Sequence, residues 1–213
     1  MSSREKVASR YDIWSPFYDS VDNFPLISRP QKVWRGRSVD MLELEGHELV
    51  LDVGTGSGYI LPDIARRLNE GRVVGTDISE GMLRKAKERA ERENVLDRVS
   101  TVKDDIENSR FGSEHFDRII TNFTFTTIPD PEKAIKECHR VLKNGGSMVI
   151  LDTGKPEGFL SRFFFYPMMV SAKIFGRTHM DRDIIGLMEK RFHVAYREYY
   201  MQGMVYLVNC VKK

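Results

Sequence analysis

Between Asp52 and Gly58 the chain reads DVGTGSG, with glycine at 54, 56 and 58. The residues before it, from Leu49 to Val53, form a short apolar run. After it, Ile60, Leu61, Ile64, Ala65 and Leu68 recur at helical spacing. A strand, a glycine turn and a helix in direct succession restrict the fold more than any other feature here. Bare backbone at such a turn lets a ligand approach, and helix N-terminal N–H groups then point at it. Glycine turns also serve tight strand–helix packing, so the turn alone leaves both readings open. Pro62 is tolerated only in a first helical turn, which predicts a helix starting near Gly58.

The alternation continues along the chain. GRVVGTDIS reads as a second strand. Ser79 then caps a charged helix with Met82, Leu83, Ala86 and Ala90 on one face. RVSTVKDDI and FDRIITNFTF are strand-like. In DPEKAIKECHRVLKNGG, Asp130 fits the N-cap, Pro131 the first helical position and Glu132 the positive end of the dipole. Gly145 or Gly146 is expected to stop that helix in a left-handed conformation. SMVILDTG is the next strand, and HVAYREYY and MVYLVNCVKK form an antiparallel edge pair around Gly203. This rhythm means an α/β fold, a mostly parallel sheet with helices on both faces, and a ligand site outside the carboxyl ends of the strands. We expect a single domain: helices over 1–45, broken by Pro16, Pro25 and Pro30; a ligand-binding core over 46–154; a cap insertion over 155–190; and a strand pair over 191–213.

The totals narrow the function. A chain of 213 residues, 41% hydrophobic, can bury one sizeable core. A net charge of +2 gives no large field to steer nucleic acid, and no block of like charge stands out. Cys138 and Cys210 have neither metal spacing nor a disulfide framework, and no metal site is expected. A cytoplasmic setting is the simplest reading. The start, MSSREKVASRYDIW, is polar and lacks the apolar core of a signal peptide. The stretch from Phe159 to Phe175 is apolar but interrupted by Arg162, Pro167 and Lys173, and is short of the roughly 20 residues of a bilayer span.

Two carboxylates specify the ligand. Asp77 ends the second strand, where a carboxylate accepts the hydroxyls of a ribose. Asp52 precedes the first glycine, which disfavours a pyrophosphate and suits a ligand bearing an ammonium or other positive charge. S-adenosyl-L-methionine has the ribose, the ammonium and a sulfonium. A nicotinamide cofactor and an NAD-dependent oxidoreductase follow from the glycines alone, but the dinucleotide spacing is absent.

The segments VLDVGTGSG, VVGTDISEGMLRKAKER, KDDIENSRFGSEHFDRIITNF and PDPEKAIKECHRVLKNGGSMVILD, in order from Leu49 to Asp152, resemble class I S-adenosylmethionine-dependent methyltransferases. The chain is most similar to the ubiquinone/menaquinone-biosynthesis (UbiE-like) C-methyltransferases, with phospholipid N-methyltransferases of similar build also close. VASRYDIWSPFYD and GMVYLVNCVKK extend the likeness toward both ends. The resemblance implies a Rossmann-like seven-stranded, mostly parallel sheet with an antiparallel C-terminal edge strand. It also implies roles. Gly54, Thr55 and Gly56 would lie against the methionine part of the cofactor, with Asp52 orienting its ammonium and Asp77 gripping the ribose. Ile78 and Met82 would sandwich the adenine, and Asp105 with the backbone of Ile106 would read its amino edge. Asn122 and Phe123 would flank the sulfonium. Tyr11 and Tyr18 would fold down as a lid, or else pack the N-terminal segment on the core. One departure stands out: the quinone enzymes carry a Gly-hydrophobic-Arg-Asn stretch where this chain has Thr126 and Thr127.

The expected activity is methyl transfer to a hydrophobic small molecule or lipid, quinol-like or a phospholipid head group. The alternative is a non-catalytic cofactor-binding protein. No catalytic residue is assigned. Of the histidines at 47, 115, 139, 179 and 193, only His179 lies where a base would serve. Aromatic and methionine residues from Phe159 to Met169 would roof the acceptor, touch a membrane surface peripherally, or close the core.

Overall fold

The structure is a computed structural model that describes residues 25–156, 179–180 and 182–213. Tyr11, Tyr18 and the aromatic stretch after Pro156 lie outside the described residues. The elements run α1 (Pro25–Asp40), β1 (Leu49–Val53), α2 (Leu61–Ala65), β2 (Arg72–Asp77), α3 (Glu80–Arg92), β3 (Val99–Lys103) and β4 (Phe116–Asn122). They continue with α4 (Pro131–Val141), β5 (Leu142–Thr153), α5 (Ile184–Glu189), β6 (Phe192–Tyr200) and β7 (Val205–Lys212). A 3₁₀ turn spans Ile106–Asn108.

One seven-stranded sheet has the order β3-β2-β1-β4-β5-β7-β6. β1 pairs in parallel with β2 and β4, β2 with β3, and β4 with β5. β7 runs antiparallel to both β5 and β6, as the sequence pattern around Gly203 predicts. The order reverses at β1, so the crevice beyond its carboxyl end is the topological switch point. Alternate residues of the central strands feed two cores. Met148 and Ile150 join Phe116, Ile119 and Phe125 on one face, while Val149 and Leu151 join Val50, Leu61 and Ile120 on the other.

Caps fall where the residue types require. Ser79 Oγ accepts the Met82 N–H at 3.1 Å. Asp130 Oδ1 accepts the Lys133 N–H at 3.0 Å. Three expectations need correction. α2 covers only Leu61–Ala65; its apolar residues are nonetheless all buried, through Leu68. α1 runs through Pro30 rather than breaking there. α4 stops at Val141, with Leu142 already extended. Gly145 is left-handed (φ +74°), but it lies inside β5, near the register shift opposite Phe116 and Arg118. No helix among the described residues is long and apolar enough to cross a membrane.

Candidate active site

The three glycines all have positive φ (67°, 54° and 72°), yet each does something different. A Cβ on Gly54 would sit 2.3 Å from Thr124 Cγ2, and one on Gly58 2.8 Å from Ala86. These two permit close packing on the loop after β4 and on α3. A Cβ on Gly56 would meet nothing within 4 Å. Gly56 is therefore the position that leaves backbone open to a ligand.

Asp77, at the end of β2, ties two turns together. Its Oδ2 accepts the Gly56 N–H at 3.0 Å and its Oδ1 the Ser79 N–H at 2.9 Å. Asp52 is 1% exposed and accepts the Thr55 hydroxyl at 2.6 Å. Burial, chiefly, and the charge of Asp77 push the Asp52 carboxyl up to about 7, against the hydrogen bond from Thr55 and the charge of Arg35.

Two cavities open here. The larger, about 100 Å³, is lined by Gly54, Gly56, Asp77, Ile78 and Met82 from the first two crossovers, by Asp104–Glu107, and by Asn122–Thr124 and Thr127–Pro129. Asp105 caps the 3₁₀ turn through the Glu107 N–H at 3.0 Å. The smaller, about 40 Å³, is lined by Arg35, Asp52, Gly54–Ser57, Tyr59, Ile60 and Asn122. The Arg35 guanidinium lies 4.5 Å from the Tyr59 ring centroid and 5.6 Å from that of Phe123. Among the described residues, only Gly54, Gly56 and Asn122 border both cavities.

The loop after β4 starts with a strained residue: Phe123 is left-handed at φ +57°. Asp152, fully buried at the end of β5, holds this loop. It accepts the Thr126 hydroxyl at 2.9 Å and the N–H groups of Thr126 and Thr153 at 3.3 and 2.7 Å. Burial raises its carboxyl to about 6 despite those bonds. From the other side His179 donates its N–H to Thr126 O at 2.7 Å, and Arg182 donates to Ile128 O and Pro129 O.

All expected cofactor residues among the described ones, from Asp52 to Phe123, thus converge on one crevice. Sequence reasoning missed Arg35, Tyr59 and the Thr127–Pro129 wall. Arg35 comes from α1, outside any motif, and no local signal marks it. His139 packs edge-on against Phe192, and exposed His115 stacks near Phe111 and Phe116, so neither is near the crevice. Glu45, His47 and Glu48 bring ligand atoms within 4.8 Å of one another before β1, but the Glu48 carboxylate already accepts the Glu45 and Gly46 N–H groups.

Residues 50–146 match the family described as Methyltransferase domain. A demethylmenaquinone methyltransferase of Bacteroides fragilis is 30% identical over 161 residues, 76% of this chain and 65% of that protein. The chain thus spans about two thirds of that relative's length. One of Staphylococcus epidermidis is 30% identical over 189 residues, 85% of this chain and 76% of that protein. The crystal structure of the 4+2 cyclase SpnF superposes with a TM-score of 0.82 at 16% identity, covering 99% of this chain and 96% of that one, and shares the fold. The chain belongs to the class I S-adenosyl-L-methionine-dependent methyltransferases, and S-adenosyl-L-methionine is its cofactor. Within that class it is UbiE-like.

Proposed function

We propose that this chain transfers a methyl group from S-adenosyl-L-methionine to a hydrophobic small molecule or lipid, with a quinol-like ring as the first acceptor class and a phospholipid head group as the second. The observation that carries this is the pair of cavities meeting at Gly54, Gly56 and Asn122. The larger offers a carboxylate and apolar walls, suited to a nucleoside. The smaller offers a carboxylate and a guanidinium, suited to a zwitterionic amino acid. The open backbone at Gly56 and the buried Asn122 Oδ1, which has no hydrogen-bond partner among the described residues, fit the same ligand.

In this reading Asp77 holds the ribose, Ile78 and Met82 enclose the adenine, and Asp105 with Ile106 reads its amino edge. Gly54, Thr55 and Gly56 lie beside the methionine chain. Asp52 takes the ammonium and Arg35 the carboxylate. When bound, the cofactor supplies a methyl on a cationic sulfur. The chain's own work is to hold that methyl in line with the nucleophile and to exclude water.

The names of the relatives support a quinol-like acceptor. Thr126, where the quinone enzymes are expected to carry arginine, spends its hydroxyl on Asp152, and this departure keeps the head-group reading alive. Tritiated-methyl transfer into a fractionated lipid extract tests the proposal. Label in a quinone or phospholipid fraction is the expected result. No label in any fraction makes the chain a non-catalytic cofactor-binding protein. Calorimetry that finds NAD bound and S-adenosylhomocysteine not bound overturns the cofactor assignment.

A further inference from the structure

The loop from Phe123 to Pro129 is tied down on two sides. On one side it leans on the glycine turn. Thr124 Oγ1 lies 3.3 Å from Val53 O and 3.4 Å from Gly54 O, and Gly54 has no room for a Cβ against Thr124. On the other side it is held by the segment that leads into α5. His179 donates its N–H to Thr126 O at 2.7 Å. Arg182 donates to Ile128 O and, at 3.3 Å, to Pro129 O. Within the loop, Thr124 O accepts the N–H groups of Thr127 and Ile128 at 2.9 and 3.2 Å. The glycine turn, the loop and the His179–Arg182 region thus form one continuous series of contacts.

Thr126 is the joint in that series. Its N–H and its hydroxyl both go to Asp152, and its carbonyl takes the His179 N–H, so every polar group it has is engaged. Thr126 is 2% exposed and Asp152 is fully buried. Neither is among the described residues that border either cavity. They act through what they hold. A buried polar network whose members are all satisfied fixes one arrangement of the elements it joins. We infer that Thr126 and Asp152 are positioning residues that couple the cofactor crevice to the segment entering α5. This rests on the cofactor reading given above. A ligand against Gly54 and Gly56 restrains Thr124, and Thr126, anchored to β5 by Asp152, passes that restraint to His179 and Arg182. The segment falls in the part of the chain expected to cap the acceptor. Its firmness then depends on the cofactor, which sets an order of events: cofactor first, acceptor second. Coupling of this kind requires that both ends bias the same element, and here that element is the loop after β4.

The test needs no acceptor. Amide hydrogen exchange over residues 182–190 is measured with and without saturating S-adenosylhomocysteine, and calorimetry on the same samples gives the affinity. In wild type the ligand should slow exchange there by about fivefold or more, the lower end of a typical coupling between sites. Thr126→Val keeps the shape and removes the hydroxyl. It should lose most of that slowing, while affinity stays within about threefold because the side chain borders neither cavity. Thr126→Ser, which keeps the hydroxyl, should restore the slowing. Should Thr126→Val not fold, Arg182→Met cuts the same series from the far side, at Ile128 O and Pro129 O, and should lose the slowing too. Full slowing in both Thr126→Val and Arg182→Met, or none in wild type that binds the ligand, overturns the inference and leaves the cofactor reading intact. Thr126→Val that folds but no longer binds the ligand also overturns it, since the residue then merely builds the cavity. If wild type does not bind S-adenosylhomocysteine, the cofactor reading itself fails.

Discussion

The two cavities are built differently. The larger draws almost entirely on residues at or just beyond strand ends: Asp77 closing β2 and Ile78 after it, Asp105 and Ile106 after β3, Phe123 after β4. The smaller depends on α1, whose Arg35 and Ser38 reach the crevice from well before the glycine turn. One is a product of the sheet, the other of a helix packed onto it. The nucleoside end should therefore survive changes in α1, while the amino-acid end should not.

The largest expected effect is at Asp77. Asp77→Ala should weaken S-adenosylhomocysteine by about 1.5–3 kcal/mol, and should weaken 5′-methylthioadenosine, which lacks the amino acid, by the same factor. Unequal losses would mean that Asp77 serves more than the nucleoside end. Arg35→Met should cost S-adenosylhomocysteine about tenfold through a lost charge-assisted bond, and leave methylthioadenosine alone. Loss of both ligands would show that the two cavities are not separable. Next come the glycines. Gly54→Ala should lower stability by about 1–3 kcal/mol, from backbone strain and the collision with Thr124. Gly56→Ala pays the left-handed strain alone, so its melting temperature should fall less while its cofactor affinity falls more.

The smallest effect is the pH dependence of the smaller cavity. With Asp52 at about 7, an ammonium ligand favours the ionised carboxylate. Affinity should rise several-fold as pH climbs toward 7 and level off above it, with protons released on binding below 7. For the empty protein the sign is opposite. The folded carboxyl titrates above its unfolded value, so the stability it contributes is full below the ordinary carboxylate range and is lost as pH rises through about 7. Asp52→Asn should flatten the binding profile and make the stability profile shallower, the rest of its slope coming from Asp152 at about 6; a binding curve that keeps its slope in that variant would point to another group.

The same contrast explains what was legible in the sequence. Ser79 and Asp130 cap helices within a few residues of themselves, and Asp77 and the glycine turn sit at strand ends, so their types and order reveal them. Asp52–Thr55 is of this kind too. Arg35 is not: its place depends on how α1 packs over Tyr59 and Phe123, which no spacing encodes. The wall from Thr127 to Pro129 is held directly by Arg182, and through the neighbouring Thr126 by Asp152 and His179, all distant in sequence. Pro30 and Gly145 misled for a related reason. Both residues have strong local preferences, but tertiary packing carries α1 through one, and strand pairing overrides the stop expected at the other.

Asp77 carries a last implication. Because it clasps the turns after β1 and β2 with no nucleoside needed, the seat is made at the moment of folding. An arriving molecule pays little to order it. Differences among nucleosides should then appear in how long each one stays rather than in how quickly it is captured.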